Sequence, residues 1–196
     1  LARVAALNAE VPVETPAMTV NRLCGSGIQA IISCAQMMQL GEAGITLAGG
    51  AESMSNAPYL DHGVRWGRKM GPNQQMDALI QVLSDPIDEY HMGITAENVA
   101  ERYGITRAAQ DALAVEGHRR AVQAITEGRF RDQILPIEVK TGKGLTLFDT
   151  DQHPRADTSL DTLAAMKPAF RKDGTVTAAN ASGINDGAAA VVLATG

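Results

Sequence analysis

An α/β fold with a mixed insertion is what this sequence predicts, on three observations. Residues 18–51 run extended, turn, helical, extended, which is the order of a βαβ unit. The stretch that follows is polar and richer in Met and His, and Thr175 to Thr195 then returns to the small-residue texture of the start. Aromatics make up only 4% of the 196 residues against 19 glycines, a composition suited to close helix–sheet packing rather than an aromatic-rich sandwich.

Taken in order, Met18-Thr19-Val20 reads as a brief strand. After the turn Asn21–Gly27, Ile28, Ile31, Ile32, Ala35 and Met38 fall at helical spacing, and Gly41 supplies a stop. Ile45–Ala51 reads as a buried strand closed by glycines. Thr106 is placed to cap a helix running to about Glu127, with Gly128 ending it and Ala109, Leu113, Val115, Ala121 and Ile125 as its apolar positions. Ile134–Lys140 reads as a strand and Lys143–Asp161 as a polar loop. Thr175–Thr177 and Ala188–Leu193 read as short extended runs around the turn segment Asn180–Gly187. The division expected is 1–53 with 181–196 as one core, and 54–180 as the insertion.

Composition excludes several function classes. With 17 basic against 22 acidic side chains the net charge is −5, so there is no electrostatic pull toward nucleic acid. No apolar run approaches the roughly 18 residues of a membrane span. Two cysteines are too few for a disulfide framework and fit a reducing compartment, hence a cytoplasmic location. The start at Leu1 and the stop at Gly196 directly after an apolar run lead us to expect a piece of a longer chain.

Chemistry concentrates at Cys24, in Cys24-Gly25-Ser26-Gly27 between an extended run and a helix. A thiol there meets the positive end of the helix dipole, which favours the thiolate, the species that attacks a carbonyl carbon. Glycines beside it let a substrate approach the backbone and use its N–H groups as oxyanion donors. The competing reading of the same residue is a small core cysteine. Cys34, mid-helix among apolar neighbours, reads as inert core. Gly25-Ser26-Gly27-Ile28-Gln29-Ala30 also matches the dinucleotide fingerprint literally, but no acidic residue stands at a strand end about 20 residues on.

The segments Asn21–Gly27, Gly49–Ser55, His91–Ala100, Lys167–Phe170 and Gly174–Gly187 resemble, in order and spacing, the thiolases, and in detail the bacterial acetyl-CoA acetyltransferases and β-ketothiolases. The resemblance implies a layered α-β-α core with an inserted mixed α+β loop domain that holds coenzyme A. It implies that Cys24 is acylated by acyl-CoA, and that Claisen condensation with acetyl-CoA, or the reverse thiolysis, follows. On the same likeness Ser182 hydrogen-bonds the pantetheine amide, Leu83, His91, Met92, Phe170 and Ala178 line its channel, and Arg155 sits near the nucleotide end. Coenzyme A thioester is then a substrate, with no other cofactor or metal. The whole protein is expected to be a homo-oligomer, dimer or tetramer, in fatty acid or polyhydroxyalkanoate metabolism.

Without the resemblance each of these residues has a plainer reading. Leu83, Met92, Phe170 and Ala178 would be core, Ser182 a turn residue, Arg155 a solvated charge and His91 a loop histidine. The basic run His118-Arg119-Arg120 reads as an exposed helix face. The family's Gly-His-Pro histidine, its second cysteine and its Asn-Glu-Ala-Phe segment do not occur in these residues, so this stretch alone is expected to be inactive. A non-catalytic acyl-CoA or lipid-carrier module, and a dinucleotide-binding domain, are the readings from other classes.

Overall fold

A computed structural model of the chain describes residues 1–142 and 144–196. In chain order its elements are α1 (Ala2–Asn8), α2 (Ser26–Gln39), β1 (Ile45–Ser53), β2 (Tyr59–Leu60), β3 (Met76–Asp77), α3 (Ala78–Val82), α4 (Met92–Tyr103), α5 (Arg107–Thr126), β4 (Ile137–Thr141), β5 (Gly144–Phe148), α6 (Leu160–Ala164) and β6 (Asp186–Ala194). They form two compact units, Leu1–Asn56 with Asn185–Gly196, and Ala57–Ile184.

The first unit is a helix packed on a two-stranded antiparallel ladder. β1 pairs with β6 from Ile45↔Ala194 to Ser53↔Asp186. Helix α2 presents Ile31, Cys34, Ala35 and Met38, all half-buried, at the i, i+3, i+4, i+7 spacing of one face. Its contact with β1 is partly polar, since Thr46 Oγ1 donates to Met38 Sδ at 3.3 Å. Small residues close the approach: a Cβ on Gly50 would stand 3.4 Å from Gly27 Cα. Gly41 turns the chain after α2 at φ 75°, a conformation that costs a residue with a Cβ more than it costs glycine. At the far end of the ladder the Asp186 carboxylate accepts from the backbone N–H (2.9 Å) and hydroxyl of Ser55, which holds it below the usual carboxylate range.

Two expectations fail in this unit. Met18–Val20 pairs with no strand among the described residues, so the βαβ order becomes helix, strand and an antiparallel partner. An extended segment becomes a strand only when a ladder takes up its N–H and C=O groups. The strand Ile45–Ser53 is present but not buried. Ala48 alone is enclosed, because one face packs on α2 and the other meets no described element.

In the second unit the long helix begins and ends where its caps predict. The Thr106 hydroxyl accepts from Ala109 N–H at 3.2 Å, and Gly128 follows at φ 66°. Its inward face is the expected one only in part. Val115 and Ala121 turn inward as expected, but Ala109, Leu113 and Ile125 are exposed, and Arg107, Asp111 and His118 turn inward instead, Arg107 donating to the Leu163 carbonyl and Asp111 accepting from Asn180. β4 and β5 form a hairpin with Ile137 opposite Phe148, so the supposed loop after 143 opens with a strand. Lys143 itself, where that loop was expected to start, lies outside the described residues. Helix α6 adds a capping box between Ser159 and Thr162, placing Leu163 in the core. Thr175–Thr177 is irregular, not a strand, its N–H groups being taken by side chains. No helix among the described residues is long and apolar enough to cross a membrane.

Candidate active site

Cys24 is exposed and directly precedes Gly25, the N-cap of α2. No side chain caps that end; the Ser26 N–H donates to the Leu23 carbonyl at 3.0 Å, and the dipole's positive pole with the next first-turn N–H groups is left for solvent or a ligand. The turn before it is held from within. Asn21 Oδ1 accepts from Leu23 N–H at 2.9 Å. Ser26 Oγ accepts from Arg22 N–H at 2.9 Å and donates to the Leu23 carbonyl at 2.7 Å. Leu23 itself sits at φ 49°, a left-handed conformation rare for a branched residue. Cys34 is half-buried, its thiol 3.9 Å from the Leu47 carbonyl, as expected of a packing residue. The dinucleotide reading of Gly25–Ala30 fails structurally, since that motif needs a strand ahead of its glycines and none stands there.

In the second unit the structure brings Leu83, His91, Met92 and Phe170 together. His91 caps α4, its Nδ1 accepting from Gly93 N–H at 3.0 Å, which leaves the neutral ring's proton on Nε2. The ring stacks on Phe170, centroids 4.8 Å apart and planes 18° from parallel. Met92 N–H donates to the Leu83 carbonyl at 2.8 Å, tying the start of α4 to the end of α3. Gly93 lies under the Phe170 ring so closely that a Cβ there would collide with it.

Arg155, Ala178 and Ser182 are not part of this cluster. Ala178 and Ser182 are exposed, Ala178 within the turn organised by Thr177 and Asn180. Arg155 is exposed on a different side chain network, its backbone N–H donating to His118 Nδ1 at 3.2 Å. His118 also stacks on His153 at 5.8 Å, so it is not the plain solvated side chain expected. Arg119 and Arg120 do lie outward and grip Glu116, whose carboxyl their hydrogen bonds hold down to about 2.

The thiolase N-terminal domain family model matches residues 1–196, the whole chain. The chain belongs to the thiolase family. Among curated relatives, the beta-ketothiolase BktB of Cupriavidus necator is 54% identical over 194 residues, which cover 98% of this chain and 49% of that protein. Among solved structures, the Bacillus anthracis acetyl-CoA acetyltransferase superposes with a TM-score of 0.92 at 47% identity, over 97% of this chain and 48% of the other. A human mitochondrial 3-ketoacyl-CoA thiolase solved in complex with CoA superposes with a TM-score of 0.91 at 43% identity, over 98% and 48%. The chain thus spans about half the length of the curated relatives it matches. The α/β thiolase fold is shown by these superpositions.

Two residues of this thiolase chain escaped the sequence reading. Glu97 on α4 and Asp111 on α5 are buried carboxylates. Gly93, Glu97 and Ala100 form the buried face of α4 at i, i+4, i+7, so an acid between two small residues on an inward face was the available signal. Phe170 and Arg171 dock on that same face and its flank: Arg171 donates to Asn98 Oδ1 at 2.7 Å and to Glu101 at 3.0 Å.

Proposed function

We propose that the intact protein is an acyl-CoA C-acyltransferase whose nucleophile is Cys24 and whose second unit binds coenzyme A. The observation that carries this is the exposed thiol at an uncapped helix start in a chain of this family. The Cys24 thiolate attacks the thioester carbonyl carbon, a new S–C bond forms, and the bond to the coenzyme A sulfur breaks, releasing a thiolate that takes up a proton. A second acetyl-CoA then loses an α-proton to a base. Its carbanion attacks the acyl-cysteine carbonyl and frees Cys24 with a new C–C bond, giving 3-ketoacyl-CoA; thiolysis is the same path reversed. First-turn N–H groups of α2 supply donors to the tetrahedral oxyanion. We assign neither the base nor the α-proton acceptor to these 196 residues.

Support for coenzyme A at the second unit comes from the cluster of Leu83, His91, Met92 and Phe170, and from the solved relative in complex with CoA. Leu83, His91 and Phe170 are half-buried and Met92 is exposed, an open apolar surface with one imidazole that suits a pantetheine arm, while Ser182, Ala178 and Arg155 are exposed and able to meet further parts of the ligand. The reading predicts that iodoacetamide labels Cys24 in preference to Cys34 in the intact gene product, and that acetyl-CoA both slows the labelling and leaves an acetyl mass on Cys24. Equal labelling of the two cysteines, or no protection, would defeat it.

A further inference from the structure

The acyl-transfer chemistry leaves two buried carboxylates unused, and both close on one short segment. Glu97, 3% exposed, accepts from Thr175 N–H at 2.9 and 2.8 Å, from the Thr175 hydroxyl at 2.9 Å and from Val176 N–H at 2.9 Å. Asp111, 4% exposed, accepts from Asn180 Nδ2 at 2.9 Å through one oxygen and from Arg107 Nε at 2.7 Å through the other. Asn180 completes the turn, its Oδ1 accepting from Thr177 N–H at 2.7 Å and its Nδ2 also donating to the Thr175 carbonyl at 3.0 Å. Gln110 reaches Thr175 Oγ1 at 2.9 Å.

Burying a carboxylate is unfavourable unless its lone pairs are filled, and apolar contacts could dock a loop at lower desolvation cost. What a carboxylate adds is direction: the N–H groups of consecutive residues must converge on one point. Here Glu97 fixes the chain at Thr175 and Val176, between Phe170 and Ala178, and Asp111 fixes it at Asn180, just after Ala178. We propose that Glu97 and Asp111 are positioning residues for coenzyme A, fixing the Phe170–Asn180 path so that Phe170 meets His91 and Ala178 faces outward. The inference rests on the coenzyme A reading of Phe170 and Ala178 given above.

The test measures steady-state kinetics and Cys24 alkylation in the intact gene product. Glu97→Gln keeps the shape and removes the charge. It is expected to raise KM for acetyl-CoA about tenfold while leaving kcat within about twofold, the signature of lost binding rather than lost chemistry. The rate of Cys24 alkylation without coenzyme A should not change. Thr175→Val removes one bond to Glu97 without altering a buried charge, and should raise KM about threefold, so the result does not depend on how well Glu97→Gln folds. Glu138→Gln, at an exposed position on β4 outside this segment, should change neither parameter. Falls in kcat and alkylation rate equal to the rise in KM would overturn the proposal, as would an unchanged KM in folded Thr175→Val. Phe170→Ala separates the two levels. If it leaves KM unmoved, the channel reading fails; if it raises KM while Thr175→Val and Glu97→Gln do not, only the positioning role fails.

Discussion

At the scale of single residues, burial and hydrogen bonding pull Glu97 in opposite directions. Burial pushes its carboxyl up, but the N–H groups of Thr175 and Val176, the Thr175 hydroxyl and the nearby Arg171 guanidinium prevail and hold it below the ordinary value. A carboxyl lowered in the folded state contributes stability above its unfolded value, near about 4.3, and loses that contribution as pH falls through the folded value. The stability gap between the parent protein and Glu97→Gln should therefore be widest near about pH 7 and narrow below about pH 4 in denaturant titrations. A gap independent of pH would mean that ionised Glu97 does not hold the segment. The place of Cys24 at a helix start was legible in the sequence because a cysteine followed by glycines ahead of a helical pattern is a short-range signal. Glu97 and Asp111 were not, because what makes them special is donors 69 to 79 positions away.

The elements divide in the same way. Helices α2 and α5 were readable to within a residue or two, since Gly41, Thr106 and Gly128 act locally on the backbone. The strand at 18–20, part of the face of α5 and the hairpin partner at 144–148 were not, since each depends on which other element is present to pair or pack. The contact between α4 and Phe170 belongs to this scale as well. Alanine ordinarily favours a helix over glycine, yet at position 93 the added methyl would meet the Phe170 ring. Gly93→Ala is expected to destabilise the protein by about 1–3 kcal/mol in urea unfolding, with KM for acetyl-CoA rising as the His91–Phe170 stack is displaced. Unchanged or increased stability would show that the ring has room to move.

For the molecule as a whole, surface is the telling quantity. These residues leave 15399 Å² accessible, against roughly 8900 Å² expected for a self-contained monomer of this mass. Large apolar side chains stand open on its strands: Leu47 and Val192 on the first ladder, Leu145 and Leu147 on the hairpin, are each more than half exposed. Patches of that kind are covered in working proteins. The 196-residue polypeptide expressed alone should bind a hydrophobic dye such as ANS and associate on gel filtration, whereas the intact gene product should do neither beyond its defined assembly. A dye-silent monomer of the 196 residues would contradict this.

The pairing of β1 with β6 has a consequence in time. Ser55 and Asp186, which meet at the end of that ladder, are 131 positions apart. No local zipping can bring such partners together, and contacts of large sequence separation are the slow ones to form. If the residues between them condense first, the span left to search is shorter and the closure entropy smaller. The strand pair that carries Gly49, Gly50 and Ala51 is then among the last parts to be made. A lesion at Glu97 or Gly93, far from that ladder in sequence, would delay it without touching it.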